Sequence, residues 1–524
     1  MILGEEEKAM RKMGRRDFVK LGIASGAGLF AVRAPGAVPP QSTTPKRGGT
    51  FTVARSDGNP SFSGLELAMG NFVFIRSLYG FLIRQDNDLN PQPELAESWQ
   101  FSADRRALTL KLRRGAKFHS GRDFTADDVV FSWKFALEPA NVVTMRTLYS
   151  LIKDIKTIDK YTVELRFDEP CPLVFDILDT LCMMDRAAVD QLGKADAGGG
   201  PFTVTSYTPG AEIRTKRFES YWEKDRPFLD EYVIKQIPDP AALVINLESK
   251  AVDAIWGSPV HEVARLKGVP GMIVDPGPAA PNMYHLMVNV RKEPLSNKKV
   301  RQAINHAIDR ERFCKSVLKE TVEPTCLMWP KGSWAYFADL EGKYKYDPSK
   351  AKRLLAEAGY PEGFETTLKF GSKIQFGQEG LAQIIQFDLA RIGIRAKLID
   401  VESAVYPTQM RKGQFDLAVH NYGRIGRDPG MMLAGAVIWY PKTEDGPIGF
   451  DLPDFVRWRD QAAMMLEKDE RKDLYRRIQT LVLEECFSMA VAPQQIFWVY
   501  RDYVKGLRAN REGSPFVGEV WLDK

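Results

Sequence analysis

Apolar and polar residues follow both strand and helix periods along the chain. Leu108, Leu110 and Leu112 alternate with polar residues, which predicts a half-buried strand, and Gly49 to Arg55 has strand-forming residues. Helical spacing predicts one helix from Asn297 to about Leu318, with a single buried stripe of Val300, Ala303, Ile304, Ala307 and Ile308. The pattern indicates a mixed α/β protein.

Several helix ends carry local signals. Thr125 and Asp128 have capping-box spacing, and Asp347 before Pro348 predicts a helix start that Gly359 ends. A helix predicted from about Gln378 to Ile392 stops at Gly393. Alternating residues from Ile394 to Leu398 then predict a strand, and a further strand and a long helix follow it. A helix, a glycine and a strand in this order are typical of a layered α/β sheet.

The N-terminal residues resemble a twin-arginine export signal. Arg15 and Arg16 precede an apolar run from Leu21 to Val32, and small residues follow around Ala34 to Ala37. The run has about twelve residues, whereas a membrane-spanning helix needs about 20. We therefore expect residues 1–37 to be removed by cleavage and the mature protein to reach the periplasm through the twin-arginine export machinery.

Charge and cysteine content narrow the class of protein. The net charge is +5, and loss of residues 1–37 reduces it to +2, with charges scattered along the chain. Nucleic-acid binding is therefore not expected. About 487 mature residues predict two or three domains. Cys171 and Cys182 are the nearest pair among five cysteines, and either a disulfide or buried free thiols fit them.

The mature chain has no familiar catalytic or metal-binding motif. It lacks GxSxG, HExxH and GxGxxG, and its five histidines have no close metal-ligand spacing. His306 is expected to face away from the apolar stripe of its helix. Gly198 to Gly200 lack a following phosphate-loop Lys and are interpreted as a flexible interdomain turn. We expect no catalysis, no cofactor and no metal.

Several sequence blocks together cover nearly all of residues 47–510. They are Pro93 to Trp99, Leu112 to Gly121, Phe124 to Ser132, Gly200 to Phe202, Tyr221 to Trp222, Asn289 to Pro294, Val300 to Ala303, Ala307 to Arg310, and Asp347 to Pro361. These blocks resemble the solute-binding proteins of ABC importers, family 5, which includes oligopeptide-, dipeptide- and nickel-binding proteins.

The resemblance implies an α/β fold, a two-lobed periplasmic-binding-protein clamshell of type II with an additional domain inserted in the first lobe. Lobe one would comprise residues 47–85, 201–281 and 491–524, the insert 86–200, and lobe two 282–490. Its partners would be a small-molecule or short-peptide ligand and ABC permease subunits in the inner membrane, and we expect a monomer. A periplasmic chaperone-like or structural role is the alternative from another class, distinguished by whether a cleft closes on a small ligand.

The resemblance also implies which segments line the cleft between the lobes. They are the loop after the first strand, the region after Asp253, the start of the second lobe and the loop after residue 419. The candidate ligand-binding residues in or beside these segments are Arg55, Asn59, Trp256, Tyr284, Tyr422, Arg424, Arg427, Asp428 and Trp439.

The loop after residue 419 differs from that of peptide-binding members. Those members have G-W-x-x-D, whose Asp accepts the peptide ammonium group, whereas this chain has Arg424 in place of Trp, and Arg427 precedes Asp428 and Pro429. Arg424 and Arg427 predict a carboxylate or phosphate ligand through bidentate hydrogen bonds. The alternatives are that both arginines are solvated or pair with Asp428, or that the ligand is still a peptide.

Overall fold

Three β-sheets of four or more strands organise the described part of the chain. The computed structural model describes residues 44–56, 64–65, 71, 73–188, 197–373 and 376–524. Residues 45–524 form one compact unit. The expected signal peptide and Asn59 lie outside the described residues.

The first sheet mixes parallel and antiparallel strands and defines lobe one. Its central strand Thr50–Arg55 pairs in parallel with a strand on each side. In spatial order the seven strands are Phe202–Thr208, Glu212–Arg217, Glu231–Gln236, Thr50–Arg55, Ala254–Trp256, Trp498–Arg501 and Met272–Asp275. Helices Pro240–Glu248 and Val260–Lys267 accompany this sheet.

The second sheet defines lobe two and is covered on both faces. Its five strands, in spatial order, are Arg395–Asp400, Glu365–Phe370, Leu417–Gly423, Asn282–Val288 and Ser488–Gln494. Alternate side chains enter different cores: Leu286 and Val288 enter one, and Met283 and Met287 enter the other. Lobe two also contains the helices Lys298–Ala307, Arg310–Ser316, Pro348–Glu357, Gln378–Ala390, Tyr406–Arg411, Pro429–Gly435, Pro453–Met464 and Lys468–Glu485.

A four-stranded antiparallel sheet defines the insert. Its strands, in spatial order, are Ala96–Phe101, Ala107–Leu112, Thr162–Arg166 and Asp154–Asp159. Helices Ala126–Leu137, Arg146–Tyr149 and Val174–Thr180 pack with it, and helix Ile75–Leu78 precedes it. Phe51 and Val53 of lobe one share a continuous core with Leu108 and Leu110, so the insert is joined to lobe one by buried apolar contact.

Three short strand pairs lie outside these sheets among the described residues. Gly80–Phe81 pairs with Cys182–Met183, Ile83–Gln85 pairs with Pro91–Pro93, and Val504–Lys505 pairs with Trp521–Leu522.

The architecture is therefore a two-lobed α/β clamshell with an additional domain. The domain limits given above remain a prediction; strand Ser488–Gln494 of lobe two crosses the expected limit at residue 490. None of the helices formed by described residues is both long and apolar enough to cross a membrane.

Local helix signals are confirmed at two sites. The Thr125 and Asp128 side chains form a reciprocal capping box. The Asp347 carboxylate accepts a hydrogen bond from the Lys350 backbone amide at 2.8 Å, and the helix continues to Glu357.

The prediction of a single helix from Asn297 to about Leu318 is wrong, because two helices occupy that segment. Ala307 ends the first, and Arg310 begins the second after the Asp309 side chain caps it by accepting from the Arg312 amide. The apolar stripe continues across the break, so periodicity alone does not reveal it.

Two further expectations are wrong for reasons of packing. Gly198 and Gly200 are buried, so this segment is not a flexible turn. A Cβ on either residue would lie within 2.6 Å of the backbone around Leu78, so the close approach requires glycine. His306 is buried against Tyr344, with ring centroids 4.6 Å apart.

The five cysteines are buried free thiols, and Cys171 and Cys182 form no disulfide. Burial raises the pKa of the Cys171 thiol to about 12.

Candidate ligand-binding site

The two lobes meet beside one end of the lobe-two sheet. Strand Ser488–Gln494 ends there, and strand Asn282–Val288 begins there after the chain has crossed from lobe one. The two crossing segments run together, since the Gln495 side-chain amide donates to the Ala279 carbonyl at 3.4 Å. Side chains at this sheet end therefore face the junction of the lobes.

Four amide side chains form a hydrogen-bonded chain at this end of the sheet. The Asn282 and Asn421 amides both donate to Gln494 Oε1, at 3.1 and 3.2 Å. The Gln378 amide donates to Asn421 Oδ1 at 3.0 Å. We call these residues the amide cluster. It offers neutral donors and acceptors at fixed positions, and sequence reasoning missed it because its members lie in four separate segments.

Arg424 comes directly after strand Leu417–Gly423 and is partly buried. Its Nε atom has no solvent exposure and no hydrogen-bond partner, and its guanidinium makes no hydrogen bond or ion pair with the residues that the structure describes. The side chain packs against Gly435, where an added Cβ would lie 3.4 Å from Arg424 Cδ.

The surroundings of Arg424 leave part of its charge uncompensated. Burial lowers the pKa of Arg424, and the nearby Glu512 carboxylate offsets this effect in part. The backbone of Arg424 is also unusual, with φ of 67° in the left-handed region that non-glycine residues rarely adopt. A strained backbone that carries a partly buried cation without a partner among the described residues is a candidate binding feature.

Arg427 was predicted to clamp an anionic ligand, but its Nη atoms are occupied by other protein groups. They donate to Asp179 at 2.6 Å, Glu512 at 2.7 Å and Gln85 at 3.0 Å, and Asp176 lies 3.6 Å away. Sequence reasoning missed these partners because they are distant along the chain.

Asp428 is likewise committed to the protein. Its carboxylate caps helix Pro429–Gly435 by accepting from the Gly430 amide at 2.9 Å, and it pairs with Arg471 at 3.0 Å. The alternative that Asp428 pairs with Arg424 or Arg427 is therefore wrong.

Arg55 and Trp256 lie on the lobe-one side. Both are buried at the ends of adjacent parallel strands, and Arg55 Cζ is 5.8 Å from the centroid of the Trp256 ring. The Trp256 indole donates to the Gly513 carbonyl at 3.1 Å. Arg55 also borders a small cavity with Tyr207 and Gln236. The two residues form a rigid wall with a buried cation.

Tyr284 lies beneath the start of helix Gln378–Ala390. It is buried, and its hydroxyl donates to the Phe376 carbonyl at 2.6 Å. Burial raises the pKa of the Tyr284 phenol. Tyr284 therefore supports the segment that carries Gln378 of the amide cluster.

Two predicted site residues, Tyr422 and Trp439, belong to the core of lobe two. The Tyr422 hydroxyl donates to the Met328 carbonyl at 3.1 Å, and its ring packs edge-on against Trp439 at 5.2 Å. Trp439 has no exposed surface. The side chain of Tyr422 follows the alternation of its strand and enters the same core as Met283 and Met287.

The described residues contain no group of three or more His, Cys, Asp or Glu side chains suited to hold a metal ion. Buried Arg427 and Arg471 are each paired with carboxylates, whereas the Arg424 guanidinium makes no hydrogen bond or ion pair with the described residues. The arrangement is suited to enclosing a small polar ligand.

A clamshell of two α/β lobes with polar side chains at their junction is the architecture of a periplasmic solute-binding protein. Residues 90–440 match the family model for bacterial extracellular solute-binding proteins, family 5. The chain belongs to this family. It is the solute-binding component of an ABC importer and captures a small ligand between its lobes.

Individual relatives are similar over most of their length. The heme-binding protein A of Haemophilus influenzae is 29% identical, over 79% of this chain and 81% of that protein. The structure of the periplasmic binding protein DppA from Helicobacter pylori with the peptide STSA is 25% identical with a TM-score of 0.81, over 91% and 99%. AgaA from A. tumefaciens R10 with agropinic acid is 26% identical with a TM-score of 0.79, over 91% and 99%.

Proposed function

We propose that the protein receives an anionic small molecule in the periplasm and delivers it to an ABC permease, with Arg424 contacting the anionic group. The observation that carries this proposal is the partly buried Arg424 guanidinium, which has no partner among the described residues. A buried cation without a partner is unfavourable, and a ligand carboxylate would supply the missing partner.

Arginine suits this task better than lysine. Its planar guanidinium can donate two parallel hydrogen bonds to one carboxylate, which fixes the orientation of the ligand. Arg55, Trp256 and Tyr284 are proposed to contribute to the walls around the ligand, together with the amide cluster. The neutral amides would select polar groups such as hydroxyls on the remainder of the molecule.

A peptide is the second candidate ligand, because one similar structure contains the peptide STSA. The other two relatives have ligands of different chemistry at comparable identity, namely heme and agropinic acid. Similarity therefore does not choose the ligand. The loop at residues 423–428 argues against a peptide, because Arg424 stands in place of the Trp and the Asp428 carboxylate is already paired with Arg471.

The remaining parts of the proposal concern cellular context. The twin-arginine motif supports export to the periplasm, and the solute-binding family supports a receptor without catalytic turnover. The protein is proposed to act as a monomer that meets its permease after closing on the ligand.

A thermal-shift screen followed by calorimetry tests the ligand class. The panel contains unmodified dipeptides and tripeptides, organic acids, opines and neutral sugars, tested against the mature protein. We expect an acid or an opine to raise the melting temperature, because a ligand that binds only the folded state stabilises it. Arg424→Gly should weaken the affinity for that ligand roughly tenfold to hundredfold, the range for a hydrogen bond to a charged group.

Glycine is chosen at position 424 because it adopts the left-handed backbone without strain. Arg353→Ala, which removes an exposed arginine from helix Pro348–Glu357, is the control for net charge and should bind like the wild type. Tight binding of unmodified peptides, or equal affinity of Arg424→Gly and wild type for an acidic ligand, would overturn the proposal.

A further inference from the structure

Arg427 is a buried arginine whose partners lie in other parts of the fold. Its side chain is 3% exposed, and the Asp179 and Glu512 side chains with which it pairs are 3% and 8% exposed. Asp179 belongs to helix Val174–Thr180 of the insert, and Glu512 follows the last strand of the lobe-one sheet. One side chain of lobe two thus holds both the insert and lobe one.

The acceptors around Arg427 leave its Nη atoms no role toward a ligand. Nη1 donates to both Asp179 and Gln85, and Nη2 donates to Glu512. Asp179 is shared with Arg76, so the pairing extends to helix Ile75–Leu78. Burial works against ionisation of Glu512, but Arg427 outweighs it and lowers the pKa of this carboxyl group.

Arg511 makes a reciprocal connection from the lobe-one side. Its guanidinium donates to the carbonyls of Asn87 at 2.6 Å and Gly332 at 2.9 Å, and it also donates to the carbonyl of Gly426. Gly426 approaches closely, since an added Cβ would lie 3.0 Å from the Arg511 carbonyl oxygen. Residues 424–430, here called the arginine loop, are therefore fastened from both sides.

We infer that Arg427 is a positioning residue that latches the arginine loop to lobe one and the insert, so that Arg424 is held in place when the lobes come together. The inference rests on the proposed function for the role of Arg424, whereas the latch itself requires no particular ligand. Separating the lobes would leave Asp176, Asp179 and Glu512 clustered without Arg427, which like-charge repulsion disfavours. The latch thus favours the closed arrangement through protein groups alone.

Two measurements on ligand-free mature protein test the latch. In Arg427→Gln, small-angle scattering should show a larger radius of gyration. Hydrogen exchange of backbone amides in residues 420–432 should accelerate roughly tenfold to hundredfold, the scale expected for losing hydrogen bonds to a charged group. Asp179→Asn should also increase the radius of gyration and the hydrogen-exchange rate. Arg427→Lys should give values between those of the wild type and Arg427→Gln, because lysine keeps the positive charge but lacks the planar guanidinium group.

Arg301→Gln is the matched control. Arg301 is a buried arginine paired with Glu485 at 3.0 Å within lobe two, so its loss should lower the melting temperature without expanding the molecule. The latch is wrong if Arg427→Gln has the same radius of gyration as Arg301→Gln and the same rate of hydrogen exchange in residues 420–432. If Arg427→Gln expands the molecule as expected but the ligand carries no anionic group, only the proposed ligand class is wrong.

Discussion

At the scale of single residues, buried His285 and partly buried His420 make the stability of lobe two sensitive to acid. His285 and His420 are paired across adjacent strands with ring centroids 5.9 Å apart. His285 Nδ1 is 2.9 Å from the Ser488 hydroxyl, and His420 Nδ1 is 3.1 Å from the Tyr406 hydroxyl. Burial lowers the pKa of His420 to about 4 and that of His285 well below its ordinary value.

The direction of the pH dependence follows from these lowered pKa values. Between about pH 6.5 and pH 4 the unfolded chain binds a proton at His420 that the folded protein does not bind. The free energy of unfolding should therefore fall as the pH falls through this window, by about 2 kcal/mol at pH 5 for His420. Urea unfolding at pH 7.5 and pH 5 should show a smaller loss for His420→Gln than for wild type.

His261 provides the control for this measurement, because its side chain is 50% exposed. His261→Gln should keep the full loss of stability between the two pH values. An identical loss in wild type and His420→Gln would contradict the assignment of acid sensitivity to this histidine pair.

The sequence could indicate which residues carry charge near the cleft, but not how they pair. Arg427 binds groups 342, 248 and 85 residues away along the chain, and no local pattern records such a pairing. Tyr422 and Trp439 were placed at the cleft because their segments lead there. Their burial depends on helices that pack on the sheet, which strand periodicity does not specify.

At the scale of elements, helix caps are predictable because their interactions span only three residues. Asp347 accepts from the Lys350 amide, and Pro348 occupies the first turn of the helix. Asp347→Ala should lower the free energy of unfolding by about 1 kcal/mol, the usual cost of a lost N-cap. Chemical denaturation of the mature protein measures this change.

Substitution by asparagine distinguishes the N-cap hydrogen bond of Asp347 from the effect of its negative charge. Asp347→Asn keeps an oxygen that can accept from the Lys350 amide, so it should retain most of the stability that alanine loses. Equal losses for both variants would show that the negative charge, rather than the cap, stabilises this helix.

The break between helices Lys298–Ala307 and Arg310–Ser316 depends on a contact with a residue that is distant along the chain. The backbone amide of Asp309 donates to the Asp388 carboxylate at 3.0 Å, and Asp388 lies in helix Gln378–Ala390. A tertiary hydrogen bond thus supports the break. The alternation in the lobe-two strands, by contrast, is a local property and was predictable.

At the scale of the whole molecule, the buried free thiols support the proposed export of a protein that folds before it crosses the membrane. All five cysteines are free and buried, so folding requires no oxidising compartment. Residues 45–524 form one compact unit built from segments that return to the same sheets, as strands Thr50–Arg55 and Trp498–Arg501 do in lobe one. Such a fold needs the C-terminal residues before lobe one is complete, which suits export of a finished domain.

The proposed route can be tested by exchanging guanidinium groups for ammonium groups at constant charge. Arg15→Lys together with Arg16→Lys should leave the precursor in the cytoplasm, because lysine lacks the planar fork of arginine. Arg11→Lys together with Arg33→Lys makes the same chemical change outside the twin-arginine pair and should be exported normally. Fractionation of cells that express each precursor with a C-terminal tag measures the outcome, and periplasmic accumulation of the Arg15 and Arg16 variant would contradict the twin-arginine route.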